Sequence, residues 1–235
     1  MNSDLPKVAH EVAGKAMVRW VVQAVRDAGA DRIVLVVGYG ADTVESVFAD
    51  DDADIDFVIQ ADQLGTGHAA ACCSDALETF DGDVLVLAGD GPLIRPTTIS
   101  TMLDRHRQSG AVATLATSTI DDPTGYGRIL RDGNDRFVAI VEEKNCSDEQ
   151  RAIREVYPSY ACFDAVTLFA ALGRLDRDPV SDEYYLTDIP AMLSSEGGRI
   201  EVVDAVPPQD ILSINTPQQL ADVGKILRQR EGALS

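Results

Sequence analysis

The sequence has no stretch approaching the ~18 consecutive apolar residues of a membrane span, and its opening Met-Asn-Ser-Asp-Leu-Pro-Lys lacks the basic and apolar regions of a secretory signal. The expected address is therefore the cytoplasm. Basic residues are scarce: 20 Lys and Arg stand against 39 Asp and Glu, for a formal net charge of −19. A field of that sign repels nucleic-acid backbones and anionic lipid surfaces, so neither is an expected partner. Cysteine occurs only at positions 72, 73, 146 and 162, with no Cys-x-x-Cys spacing, which argues for reduced, mostly buried thiols. What is present, 45% hydrophobic and 25% charged residues over a 235-residue chain, is the composition of one globular domain with a sizeable core.

Short apolar, β-branched runs separated by helical patterns predict an α/β fold with a Rossmann-like, mostly parallel sheet flanked by helices. Ile33 to Val37, closed by Gly38, reads as a buried strand; Pro6 to Ala30, with Met17, Trp20, Val21 and Val25 on one face, reads as the helix before it. The alternation continues through helix 42–48, strand 57–60, helix 67–77, strand 84–88, helix 97–107 and strand 112–117. After about residue 120 the pattern changes. Residues 128–130 and 137–142 flank the turn signal Asp132-Gly133-Asn134 and predict an antiparallel hairpin. A strand over 156–163 and helices over 164–175, 185–195 and 217–230 complete the reading, the last with Thr216 as N-cap. The run Asp50-Asp51-Asp52-Ala53-Asp54 has no EF-hand spacing and reads as a solvated loop. A doubly wound domain ordinarily begins with a strand, whereas this sequence begins with a loop and a helix.

Two segments carry chemistry. Leu85-Val86-Leu87-Ala88-Gly89-Asp90 ends an apolar strand on a carboxylate, at the sheet edge where open α/β folds bind ligands. An acid there is a hard oxygen ligand suited to Mg²⁺ and suggests phosphoryl or nucleotidyl transfer; the plainer alternative is an Asp that opens a turn before Pro92. Gln60 to Ala69 also follows a strand and opens a helix, with Gly65 and Gly67 allowing close backbone approach. The Gln60 amide can donate and accept, as reading a pyrimidine edge requires. His68 has no carboxylate partner nearby in sequence and reads as a packed or surface histidine rather than a base.

Ser3-Asp4-Leu5-Pro6-Lys7, Gln60 with Gly65-Thr66-Gly67-His68-Ala69, Gly89-Asp90, Pro123 to Arg128, Val141-Glu142-Glu143-Lys144 and Glu183 to Asp188 together resemble the uridylyltransferase domain of the bifunctional N-acetylglucosamine-1-phosphate uridyltransferases, in the sugar-phosphate nucleotidyltransferase superfamily. The match runs in order from residue 1 to about residue 220. The resemblance implies one nucleotidyltransferase domain, with a nucleotide-binding half (1–118) and a sugar-binding half (119–235). It implies attack of a sugar-1-phosphate oxygen on the α-phosphorus of UTP, with Mg²⁺ bridging the phosphates, to give pyrophosphate and UDP-N-acetylglucosamine, a cell-wall precursor. By the same matching, Asp90 and Asn215 are metal ligands, Lys7 contacts phosphate, Gln60, Gly65 and Thr66 hold uracil and ribose, and Gly127, Glu142 and Thr187 hold the sugar. Gly127 could otherwise serve only a turn, and Glu142 only a surface ion pair.

Three departures qualify the resemblance. The family's glycine-rich loop, Leu-x-x-Gly-x-Gly-Thr-Arg-Met, would precede Ser3, and this sequence starts at its methionine end; the first strand and the triphosphate cradle are thus not in it, and a form without them is expected to be inactive or nearly so. Tyr157, in Glu155-Val156-Tyr157-Pro158-Ser159, stands where the family has the asparagine that holds the acetamido sugar. Ala88 stands where some members have tyrosine. Another sugar-1-phosphate or nucleotide, or an inactive nucleotide-sugar-binding module, is the alternative. No hexapeptide-repeat acetyltransferase segment follows in the sequence.

Overall fold

The structure, a computed structural model, describes residues 5–48, 54–212, 214 and 216–233. Lys7–Ala9 form one 3-10 turn, and a minimal hairpin of β1 (Glu11–Val12) and β2 (Lys15–Ala16) precedes helix α1 (Met17–Asp27). The helix predicted from Pro6 to Ala30 is thus much shorter at its start. Ala13 and Gly14 take positive φ and reverse the chain, and regular helix begins only at Met17. α1 buries Met17, Val18, Val21, Val22 and Ala24 along one stripe.

Strands and helices then alternate: β3 (Ile33–Val37), α2 (Ala41–Ser46), β4 (Ile55–Ile59), α3 (Thr66–Ala71), β5 (Asp83–Leu87), α4 (Pro96–Ser109) and β6 (Ala113–Thr119). Proline at the first position of α4 and Gly110, left-handed at φ 62°, set its two ends. Next come β7 (Gly127–Arg131), β8 (Phe137–Val141), α5 (Asp148–Arg151), β9 (Glu155–Asp164), α6 (Ala165–Leu172), α7 (Ile189–Ser195), β10 (Ile200–Asp204) and α8 (Pro217–Ala233). Two further expectations are corrected. The helix expected over 67–77 is regular only to Ala71, and Ile200–Asp204 forms a strand that the sequence pattern does not predict, its short apolar run being broken by Glu201. Thr216 caps α8: the Gln219 N–H donates to its hydroxyl at 3.2 Å, and its own N–H donates to Gln219 Oε1 at 3.0 Å.

The strands form a mixed sheet in the order β10-β6-β9-β7-β8, with β5 also on β9, and a separate parallel pair β3-β4. β5, β6 and β7 each run antiparallel to β9, and β10 runs parallel to β6, so these four strands share one direction. The β3-β4 pair is oriented likewise. Pro6 and Val8 lie against Gly40 and Gly89, just beyond the ends of β3 and β5, while Arg32, just before β3, donates to the carbonyl of Ala76, ahead of β5, at 2.8 Å. The sheet is therefore mostly parallel in direction, with β8 and β9 reversed, and helices pack on it. It crosses the boundary near residue 118, since β5 and β6 share ladders with β9. Among the described residues, β3 pairs only with β4, and β5 only with β9.

Buried Asp210 receives both Arg95 and Arg230, and Arg230 also donates to the Leu93 carbonyl at 2.8 Å. These contacts tie the segment before Ile214 to α4 and α8. All four cysteines are free thiols; burial pushes Cys73 up to about 11 and Cys162 up to about 12. No helix among the described residues is long and apolar enough to cross a membrane.

Candidate functional site

The site forms where β9 changes partners. Along one edge β9 pairs with β7 at Val156 and Tyr157, then with β5 from Tyr160 onward. Between these ladders Pro158 has no N–H to offer, and Ser159 takes a left-handed φ of 66°, uncommon for a residue with a side chain. The resulting notch is a cavity of about 270 Å³ between the end of β5, with Ala88, Asp90 and Gly91, and the start of β7, with Tyr126 and Gly127; Glu142, Tyr157 and Tyr160 complete its walls.

At the β5 end, Lys7 donates to Asp90 Oδ2 at 2.7 Å across 83 residues of sequence. Both side chains keep over a third of their surface exposed, so the pair is open to a ligand rather than sealed. A Cβ on Gly91 would run into the hydroxyl of Tyr160, so only glycine lets the Asp90 turn approach β9 this closely. Burial, then the Asp90 carboxylate, raises the Tyr160 phenol well above its ordinary range.

At the other end, the Thr187 hydroxyl donates to Glu142 Oε1 at 2.9 Å. Glu143, next in sequence, accepts from the fully buried Arg128 at 2.7 Å and from the Gly125 N–H at 3.1 Å, while Arg128 also donates to the Tyr126 carbonyl. The Arg128 contact holds the Glu143 carboxyl below its ordinary range. This bracket fixes the loop before Gly127. The Tyr126 hydroxyl donates to the Ile211 carbonyl at 2.6 Å, closing the wall on that side.

The loop after β4 is held by the segment that carries Thr187. Tyr184 N–H donates to the Leu64 carbonyl and Gly67 N–H to the Tyr184 carbonyl, both at 2.8 Å, and Leu186 N–H donates to Thr66 Oγ1 at 3.1 Å. Gly65, at φ 103°, leaves no room for a side chain against Tyr184. Gln60 donates through Nε2 to the Gly65 carbonyl at 3.1 Å and contacts His68 Nδ1 at 3.0 Å.

Of the residues singled out from sequence, Asp90, Gly127 and Glu142 line one cavity, Lys7 sits on Asp90, and Thr187 sits on Glu142. Gln60, Gly65 and Thr66 share a separate loop, joined to the cavity through Tyr184 to Thr187. Asn215 lies outside the described residues, as does its expected approach to Asp90. Among the described residues no cluster of three His, Cys, Asp or Glu side chains could hold a metal by itself. Sequence reasoning missed Arg128, Glu143 and Tyr160 as parts of the site. Arg128 closes the Pro123 to Arg128 motif, and no local signal marks a buried arginine whose partner is 15 residues away.

The profile of the MobA-like NTP transferase domain family matches residues 1–176. Among curated proteins, the chain is 45% identical over 230 residues to a "Bifunctional protein GlmU" of Geobacter metallireducens, covering 98% of this chain and 48% of that protein. It is 44% identical to a protein of the same name from Geotalea daltonii, covering 98% and 50%. The chain thus spans about half the length of these relatives. Among solved structures, an apo UDP-glucose pyrophosphorylase superposes with a TM-score of 0.76 at 13% identity, covering 97% of this chain and 92% of that one; a UDP-glucose pyrophosphorylase complexed with UDP-glucose gives 0.72 at 12%. The likeness to these structures is one of fold. The cleft at the carboxyl edge of the strands and the family match over most of the sequence lead to one assignment: the chain belongs to the MobA-like NTP transferase domain family.

Proposed function

We propose that the chain is a sugar-1-phosphate uridylyltransferase that uses UTP and N-acetylglucosamine-1-phosphate in the cytoplasm. A phosphate oxygen of the sugar-1-phosphate attacks the α-phosphorus of UTP in line. The bond to the β-phosphate bridging oxygen breaks, and pyrophosphate leaves with that oxygen, giving the UDP-sugar. No side-chain nucleophile is required, since phosphoryl transfer asks a protein mainly to align reactants and neutralise charge.

The observation that carries this reading is the open Lys7 and Asp90 pair at the edge of the same cleft that Glu142 and Thr187 close at its far end. Lys7 supplies a cation for the phosphates. Asp90 is a hard oxygen donor with its carboxylate partly exposed, which fits Mg²⁺ carried largely by water and phosphate oxygens; that ion supplies charge neutralisation between the phosphates when bound. Asp90 would hold it, with Asn215 as the expected second ligand. Glu142 accepts sugar hydroxyls, Thr187 fixes its orientation, and Gly127 lets the ring approach β7. Gln60 and the Gly65-Thr66 backbone hold the uridine.

One observation favours a second acceptor, a hexose-1-phosphate. The Tyr157 phenol, buried and facing the Glu142 charge, makes no hydrogen bond among the described residues and stands in the acceptor wall. Pyrophosphate release from UTP with N-acetylglucosamine-1-phosphate and with glucose-1-phosphate tests both readings. Release with the former alone supports the first, release with glucose-1-phosphate alone supports the second, and release with neither, from this chain and from one carrying the family's glycine-rich loop ahead of Ser3, removes both.

A further inference from the structure

We propose that His68 is a positioning residue that orients the Gln60 carboxamide so that its oxygen, and not its NH2 group, is offered to the base of the nucleotide. The inference rests on the nucleotidyltransferase reading above. Its starting point is the carbonyl of Gly65, which can only accept a hydrogen bond; the Gln60 atom 3.1 Å from it is therefore the amide nitrogen. The same nitrogen lies 3.0 Å from His68 Nδ1. Since that nitrogen is a donor, Nδ1 must accept, and the His68 ring is neutral with its proton on Nε2.

Both amide hydrogens are then engaged within the protein, and Gln60 Oε1 has no hydrogen bond among the described residues. An unpaired acceptor suits a base edge that carries an N–H, as uracil does at N3. Cytosine presents a lone pair at that position, and two acceptors facing each other are unfavourable. A site whose polar group is directed in this way gains selectivity because the wrong ligand leaves it unpaired.

The ring that performs this task is itself held. Tyr184 stacks on His68 with centroids 6.5 Å apart and planes at 27°, and the Arg177 guanidinium covers Tyr184 at 5.2 Å. Tyr184 belongs to the segment that hydrogen-bonds Leu64 and Gly67 and leads to Thr187 on Glu142. The orientation of the Gln60 amide is thus fixed by the same strap that completes the acceptor end.

The test is calorimetric binding of UTP and CTP, with Mg²⁺, to the wild-type chain, His68→Phe and His68→Asn. Phenylalanine keeps the stacking on Tyr184 and removes Nδ1; asparagine restores an acceptor near that place. Loss of this one hydrogen bond should weaken UTP about 5- to 10-fold in His68→Phe and narrow its advantage over CTP. His68→Asn should recover most of it. Wild-type UTP affinity in His68→Phe, or an equal loss in both variants, overturns the proposal while leaving the transferase reading intact. A wild-type chain that binds neither nucleotide overturns both. A nitrogen-15 spectrum of the wild-type histidines decides the tautomer without any variant or nucleotide: a proton on His68 Nε2 is expected, and one on Nδ1 overturns the assignment.

Discussion

Strands β5 and β6 make opposite use of their sequences. Val84 to Leu87 of β5 is wholly apolar, yet every residue of that strand is half-buried. β6 carries Thr114, Thr117 and Ser118, and all three are buried along with its apolar residues. Neighbours explain the inversion. β6 lies between β10 and β9, whereas β5 has a ladder on one side only among the described residues. Burial here follows position in the sheet rather than hydropathy, and the Lys7 and Asp90 pair sits on the thinly covered side. Lys7 and Asp90 extend from the β5 end into an open cleft, while Arg128 and Glu143 belong to the packed side around β7 and β9. Substitutions should therefore separate, with those at the open end costing turnover and those at the packed end costing stability.

The sharpest test of that division is Asp90→Asn. Loss of the carboxylate should lower turnover by about 10³-fold, since electrostatic groups aimed at the reacting phosphates contribute on this scale. The melting temperature should barely move, because an exposed ion pair contributes only about 0 to 1 kcal/mol. A fall in both would erase the distinction. Lys7→Ala should reduce turnover by about 10²-fold and nucleotide affinity less, read by steady-state kinetics beside equilibrium binding.

The packed side is tested by Arg128→Ala, which removes a buried guanidinium and leaves Glu143 and the Tyr126 carbonyl without it. The expected loss is about 2 to 3 kcal/mol, or roughly 5 to 10 °C in melting temperature for a domain of this size. An unchanged melting temperature would show that the loop before Gly127 holds without its bracket. Tyr157→Phe keeps the packing and removes one hydroxyl. KM for the sugar-1-phosphate should rise up to about 10-fold while KM for UTP stays put, and a shift in the UTP value instead would detach Tyr157 from the acceptor.

The smallest effect expected is one of pH. Arg128 lowers the Glu143 carboxyl from its ordinary 4.5, so Glu143 binds fewer protons folded than unfolded. Its contribution to stability is complete above 4.5 and is lost as pH falls through the lowered value. Melting temperatures between pH 6 and pH 3 should show that part of the decline missing in Glu143→Gln. An identical acid profile in the variant would place the decline elsewhere.

How much of this was legible beforehand depends on the range of the interaction concerned. Helix α4, the β7-β8 hairpin and the cap at Thr216 were readable because a proline, a turn pair or a hydroxyl three residues from its partner acts within one or two turns. The helix predicted from Pro6 was not, because Ala13 and Gly14 reverse the chain through a backbone conformation that apolar spacing does not encode. Asp90 could be named from its strand, since a carboxylate after an apolar run lands at the sheet edge. That Lys7 reaches it, or that His68 engages Gln60 and not a carboxylate, depends on where a loop folds back.

By itself the sequence determined the strand and helix alternation and the residue types able to handle phosphate, base and sugar, because periodicity and side-chain chemistry are local properties. The tertiary structure alone decided which of those residues meet. It placed Glu183 to Thr187 as a strap between the Gln60 loop and Glu142, and it opened the notch at Pro158 and Ser159 by giving β9 one partner before that point and another after it. Pairing of that kind is set by the competition of several strands for one edge, and no stretch of the chain carries that information on its own.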